Sequence, residues 1–428
     1  MTPADSPRDA DLGLDPALLE DIARDYGTPA YVYDLDAVRA AYIALTADLP
    51  QPSDLLYSLK ANPHPAVVEA LVAVGAGAEV SSSGELAVAL AAGCPPRHVL
   101  YTGPGKTADE VRTALAAGVR LFSVESPGDR ARVEQACELL DVTVDVLVRL
   151  NYPRASAGGS LRMTGRPTAF GVDVGDAGAV TALLRPGRRV RPVGTHTFFA
   201  TNVADEQDLR AEFHNALAVV RAVGGDGFAP TVLALGGGFS APNARPGTLP
   251  RYHSLRADLA EQLDVAFPAW RSGVPRVLFE SGRHLTATSG TLLTTVLDTK
   301  RSGDRTFVVL DAGVNVLGGM TGLGRLRAPD AQARVVGRTD RPDEPEQRVT
   351  LVGPLCTPLD VLSTTATIAA PRRGQLLAIP NVGAYGTTAS LLAFLSRPAP
   401  VEVIVDHGVV RRAERLVLHS EEVHPDSQ

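Results

Sequence analysis

The sequence predicts a (β/α)8 barrel followed by a mostly antiparallel β domain. Three observations carry that expectation. Eight short apolar, β-branched runs alternate with helical patterns over about 230 residues, the size of one such barrel. After Glu280 the rhythm changes to strands separated by turns. The length of 428 residues exceeds one ordinary domain and accommodates both parts.

The barrel runs are Leu55–Lys60, Ala78–Ser82, Val99–Thr102, Arg120–Val124, Val144–Leu150, Val193–Phe199, Val232–Leu235 and Arg276–Glu280. Patterns with apolar residues three and four apart start at Pro65, Gly84, Ala108 and Glu206 and predict the intervening helices. A doubly wound open sheet is the alternative, but eight strands favour closure. Beyond Glu280, strands are expected at Thr286–Asp298, Thr306–Leu310, Arg348–Val352, Gln375–Ile379 and Val401–Val405. Residues 323–346 are rich in Arg, Asp and Pro and read as a loop. Arg325 and Arg327 within it read as surface residues. The expected organisation is an N-terminal segment packing with the β domain (1–35), the barrel (36–284), the β domain (285–420) and a tail (421–428).

Composition excludes several functional classes. A net charge of −7 with interspersed signs gives no basic footprint for nucleic acid. Apolar stretches stay short of the roughly 18 residues that span a bilayer, so no membrane role is expected. The polar N-terminus lacks the apolar centre of a signal peptide. Three scattered cysteines suit neither a disulfide framework nor a metal site. These features point to a cytoplasmic protein.

A barrel places its chemistry at the C-terminal ends of its strands, which makes separate residues into one site. Lys60 ends the first run, where a desolvated amine can hold an aldehyde cofactor as a Schiff base. The seventh strand empties into Gly236-Gly237-Gly238, whose backbone can close around an anion. The eighth ends in Glu280-Ser281-Gly282-Arg283, a carboxylate, a glycine and a guanidinium able to grip phosphate.

With these motifs in order from Thr28-Pro-Ala-Tyr-Val-Tyr to Arg397-Pro-Ala-Pro, the chain resembles the fold-type III pyridoxal-phosphate decarboxylases. That group includes diaminopimelate and ornithine decarboxylases and, more distantly, alanine racemase. The resemblance implies pyridoxal 5'-phosphate bound through Lys60, with Gly236, Gly237, Gly238, Gly282 and Arg283 on the phosphate. It implies Glu280 on the pyridinium nitrogen and Tyr385 reaching the cofactor. A carboxylate beside that nitrogen keeps it protonated and strengthens the ring as an electron sink, which suits decarboxylation over racemisation. Gly353-Pro-Leu-Cys356-Thr-Pro-Leu-Asp360 resembles the segment in which a cysteine from the partner subunit reprotonates the carbanion. Cys356 is thereby implied as general acid, Asp360 as a substrate contact, and a homodimer with shared active sites as the working form.

Two departures bear on the substrate. Thr357-Pro358 stand where diaminopimelate decarboxylases carry Glu-Ser, and Phe198 takes the place of the histidine that stacks on the ring, with His196 at the preceding position. A phenyl ring stacks but carries no charge. The combination, with Met163–Asp173, resembles a specialised-metabolism subgroup, some of whose members act on aminoacyl groups tethered to an acyl or peptidyl carrier protein. The expected substrate is an amino acid or such an aminoacyl group. Diaminopimelate decarboxylation and racemisation are the alternatives.

Overall fold

Each of the eight apolar runs becomes one stave of a closed parallel barrel. The computed structural model describes residues 13–153, 161–162, 167–225, 227–318, 330–337, 345–369 and 371–422. Arg325, Arg327, Met163 and most of the 323–346 loop lie outside the described residues. By internal contacts the chain forms two units: residues 37–241 with 248–286, and residues 1–36, 242–247 and 287–428.

Strand β1 (Ala30–Asp34) belongs to the second unit. The barrel follows with β2 (Asp54–Ser58), β3 (Gly77–Val80), β4 (Val99–Tyr101), β5 (Leu121–Val124), β6 (Val144–Asn151), β7 (Val190–Thr197), β8 (Val232–Ala234) and β9 (Arg276–Ser281). Successive strands pair in parallel, and β9 pairs with β2 through Ser281 opposite Tyr57 to close the ring. Strands covered on both faces read as nearly unbroken apolar runs, which is why they were legible. Leu56, Leu100, Leu147, Ala234 and Leu278 fill the barrel interior as one buried cluster.

Helix starts are fixed by local chemistry. Thr107 and Glu110 form a reciprocal capping box on the helix Ala108–Ala116, and Ser82, Ser126 and Asp205 cap three others. The predicted helix from Glu206 runs to Gly224 and buries Leu209, Phe213, Leu217 and Val220 on one face. Its Phe213 meets Phe199, Phe239 and Phe279 in edge-on or tilted ring contacts.

The second unit contains β10 (Gly290–Ser302), β11 (Arg305–Leu310), β12 (Glu346–Val352), β13 (Val361–Ala369), β14 (Leu376–Ile379), β15 (Val401–Asp406) and β16 (Val409–Arg415). They form a sheet in the order β13-β12-β11-β10-β1-β15-β16, with β14 also on β10. All pairings named here are antiparallel except β1 with β15 and β11 with β12. Its core combines Leu19, Ile22, Ala30, Val32, Leu293, Val403 and Val405. Residues 242–247, expected within the barrel, belong to this unit; Asn381 holds them by donating to the carbonyls of Arg245 and Gly247.

Candidate active site

Lysine is rare in this chain, with only Lys60, Lys106 and Lys300. Lys106 is buried, its ammonium 2.8 Å from Asp129 and donating to the carbonyls of Gly103 and Ser123. Lys300 is exposed near the end of β10. Lys60 alone stands half-exposed at the mouth of the barrel. Strand β2 ends at Ser58, two residues before the sequence suggested, and Leu59–Ala61 form a 3-10 turn that carries the lysine. Gly282 is needed beside this turn, because a Cβ there would lie 2.9 Å from that of Ala61.

The partner of Lys60 went unnoticed in the sequence. Glu79 on β3 is 2% exposed and accepts from the Lys60 Nζ at 3.1 and 3.3 Å. An acid inside a predicted barrel strand was the available signal. Thr102 also donates to it. Burial alone would raise the Glu79 carboxyl; Lys60 and the hydroxyls of Thr102 and Ser58 outweigh burial and hold it down at about 2. Because its folded value lies below the ordinary 4.5, the ionised group adds stability above that value and loses it as pH falls toward 2. In the cofactor-free protein, the stability difference between wild type and Glu79→Gln should hold steady above about pH 5 and shrink toward pH 2. Urea midpoints measured across that range check this, and a difference independent of pH would contradict it.

Two further strand ends meet in a buried pair. Glu280 on β9 and His196 on β7 are each almost fully buried, with Glu280 Oε1 3.0 Å from His196 Nε2. Among the described residues neither atom has a hydrogen-bond partner. The other ring nitrogen of His196 is 2.7 Å from the Ser123 hydroxyl on β5, which fixes the ring. A buried carboxylate oxygen left this way is costly unless a donor arrives.

The glycine run beside them is shaped by close approach. Gly236 and Gly238 have φ of +67° and +95°, and a Cβ on Gly237 would lie 2.0 Å from the Glu280 carbonyl. Phe198 follows β7 and packs against Gly236, with the Lys60 Nζ 5.9 Å from its ring centroid. Arg283 opens the short helix after β9 and is half-buried. Another buried ion pair, also missed, joins Arg149 on β6 to Glu125 at 3.0 Å, with the guanidinium 4.8 Å over Phe170. Glu125 also accepts from the Gly171 N–H. The lone arginine within an apolar run was its signal.

The remaining expected residues sit in the second unit. Tyr385 follows β14 at φ +56°, in a loop tied down by N–H donation from Val382 to Gly290 and from Gly383 to Ala287. Cys356 is exposed, whereas Cys94 and Cys137 are buried and burial pushes each thiol up to about 11. Asp360 lies four residues beyond Cys356. Its side chain is turned into its own chain, 2% exposed, with one oxygen accepting from Val314 N–H at 2.8 Å and the other from Leu355 N–H at 2.7 Å. Four residues of sequence separation from Cys356 gave no information on that direction.

The family model described as the pyridoxal-binding domain of pyridoxal-dependent decarboxylases matches residues 35–287. The chain belongs to this family. Diaminopimelate decarboxylase of Pseudomonas aeruginosa is 32% identical over 95% of each chain. The L-glutamyl-(BtrI acyl-carrier protein) decarboxylase of Niallia circulans is 28% identical over 93% of each. Among solved structures, diaminopimelate decarboxylase from M. jannaschii in complex with L-lysine has a TM-score of 0.78 at 25% identity, covering 93% of this chain and 92% of that one.

The protein is therefore a pyridoxal-phosphate-dependent amino-acid decarboxylase, a lyase. No described helix is long and apolar enough to cross a membrane. The residues present fit the cofactor. The Glu280 oxygen left without a hydrogen-bond partner among the described residues would suit a protonated ring nitrogen, and the glycine run would leave room for a phosphate. When bound, the cofactor supplies an electron sink for the pair left by departing carbon dioxide.

Proposed function

We propose that this decarboxylase removes the α-carboxylate of an aminoacyl group whose far end is a neutral linkage, as on a carrier protein, in a specialised biosynthetic pathway. Lys60 attaches the cofactor, Glu280 holds its ring nitrogen protonated, and Gly236–Gly238, Gly282 and Arg283 take its phosphate. Phe198 stacks on the ring, His196 lies against the cofactor beside Glu280, and Tyr385 reaches it. Cys356, brought by the second subunit of a homodimer, returns a proton to the carbon that lost its carboxylate.

The carrying observation is the chemistry of the Cys356 loop. Cys356, Thr357, Pro358 and Leu359 present a thiol, a hydroxyl and apolar groups, and the one acid, Asp360, faces inward with both oxygens engaged. A free diamino acid brings a distal charge that is costly to bury without a partner, whereas an amide or thioester brings none. The Niallia circulans relative, named for a carrier-bound glutamyl substrate, supports the reading. The greater identity to a diaminopimelate decarboxylase favours the second reading, decarboxylation of free diaminopimelate.

Carbon dioxide release from L-glutamyl- and L-aspartyl-carrier proteins, beside free diaminopimelate, ornithine and lysine, separates the two. The expected result is turnover of a tethered group at least about 100-fold above any free diamino acid, the penalty for an unmatched charge. Efficient turnover of the free amino acids alone would overturn the proposal.

A further inference from the structure

Asp360 holds the Cys356 loop in a single shape. The loop runs from Gly353 to Asp360 and is closed at its base by main-chain bonds, Gly353 N–H to the Asp360 carbonyl and Asp360 N–H to the Thr357 carbonyl. Within it, Thr357 N–H reaches the Leu355 carbonyl, and Leu359 N–H reaches the Thr357 hydroxyl. The Asp360 side chain then adds two bonds from a buried position, to Leu355, the residue before the thiol, and to Val314 in the segment after β11. From the other side, the Arg397 guanidinium donates to the Pro354 carbonyl at 3.2 Å.

The nest is built around this carboxylate. A Cβ on either Gly313 or Gly353 would lie 2.3 Å from one of its oxygens, so both positions are kept bare where the acid sits. A carboxylate accepting two backbone N–H groups in a dry site makes strong, directional bonds. Each oxygen is engaged by a backbone N–H of its own chain, and the residue is 2% exposed.

We propose that Asp360 is a positioning residue for the Cys356 thiol, fixing the backbone on which the thiol is carried rather than contacting substrate. This rests on the reading of Cys356 as the proton donor. A proton transferred to carbon needs its donor held to a fraction of an ångström, and a misplacement of about 1 Å costs on the order of 100-fold. In Asp360→Asn the shape is kept, but the amide NH2 meets a backbone N–H where an acceptor stood. The loop then loses one of its two side-chain anchors.

Three measurements on the holoenzyme test this with the substrate found by carbon dioxide release. Asp360→Asn should lower kcat about 10- to 100-fold with KM and the bound-cofactor absorption unchanged. Alkylation of Cys356 by iodoacetamide, selective because Cys94 and Cys137 are buried, should accelerate at least about threefold as the loop loosens. Should the amide variant fail to fold, Asp360→Ser, smaller and with one acceptor oxygen, carries the same readouts. In parallel, Cys356→Ala should lower kcat about 100-fold, the scale of losing a general acid. Wild-type kcat and alkylation in Asp360→Asn, with Cys356→Ala impaired, would overturn the positioning role alone. A raised KM at unchanged kcat would return Asp360 to the substrate. Wild-type kcat in Cys356→Ala would remove the thiol's role and the positioning proposal with it.

Discussion

Lys60→Ala should give a folded protein that lacks the visible absorption of a lysine-linked cofactor and whose kcat is lower on the order of 10,000-fold, within the range for loss of a nucleophile. The prediction follows from the scarcity of lysine as much as from position. Lys106 is committed to Asp129 and two carbonyls in a buried site, and Lys300 stands exposed on β10. Only Lys60 pairs at the barrel mouth with a buried acid, Glu79, while keeping part of its own side chain accessible. Absorption spectra of the purified variant incubated with pyridoxal phosphate, together with carbon dioxide release, check the result. A variant that keeps the band and the turnover would show that the amine is dispensable.

Glu280→Gln should bind the cofactor through Lys60 yet turn over roughly 100- to 1,000-fold more slowly, the scale of removing one preorganised electrostatic partner. Glutamine keeps the volume in a site that is 2% exposed, so packing is preserved. What changes, on the proposed function, is the charge facing the ring nitrogen. A neutral amide does not hold a proton there, and the sink for the electron pair weakens. His196 does not supply a carboxylate, and its Nδ1 is engaged with Ser123. Steady-state rates with cofactor content measured on the same samples separate this from simple loss of cofactor. A kcat within about threefold of wild type at full occupancy would contradict the role.

The barrel was legible because parallel strands buried on both faces leave uninterrupted apolar runs, and the turns between them carry Gly, Pro and capping residues. The second unit was harder. Strand β13, Val361-Leu-Ser-Thr-Thr-Ala-Thr-Ile-Ala, is only partly buried and reads as polar, and β16 is an edge strand carrying Arg411, Arg412 and Arg415. The ends of β2, β8 and β9 announced Lys60, the glycine run and Glu280 because unusual residues interrupt apolar strands there. Glu79 and Arg149 interrupt strands in the same way, but their partners lie 19 and 24 residues away in sequence, so only the closed barrel brings each pair together. Asp360 shows the opposite case. Its spacing from Cys356 is plain in the sequence, while the direction of its side chain depends on the N–H groups of Val314 and Leu355, which no spacing rule records.

On the proposed function, chemistry is organised around Lys60 at the barrel mouth. Borohydride reduction of the wild-type holoenzyme, followed by proteolysis and mass spectrometry, tests it directly. A reduced pyridoxyl group is expected on the peptide containing Tyr57-Ser-Leu-Lys60, with the peptides of Lys106 and Lys300 unmodified. Modification of either of those lysines in place of Lys60, or no covalent adduct in an enzyme that releases carbon dioxide, would contradict it.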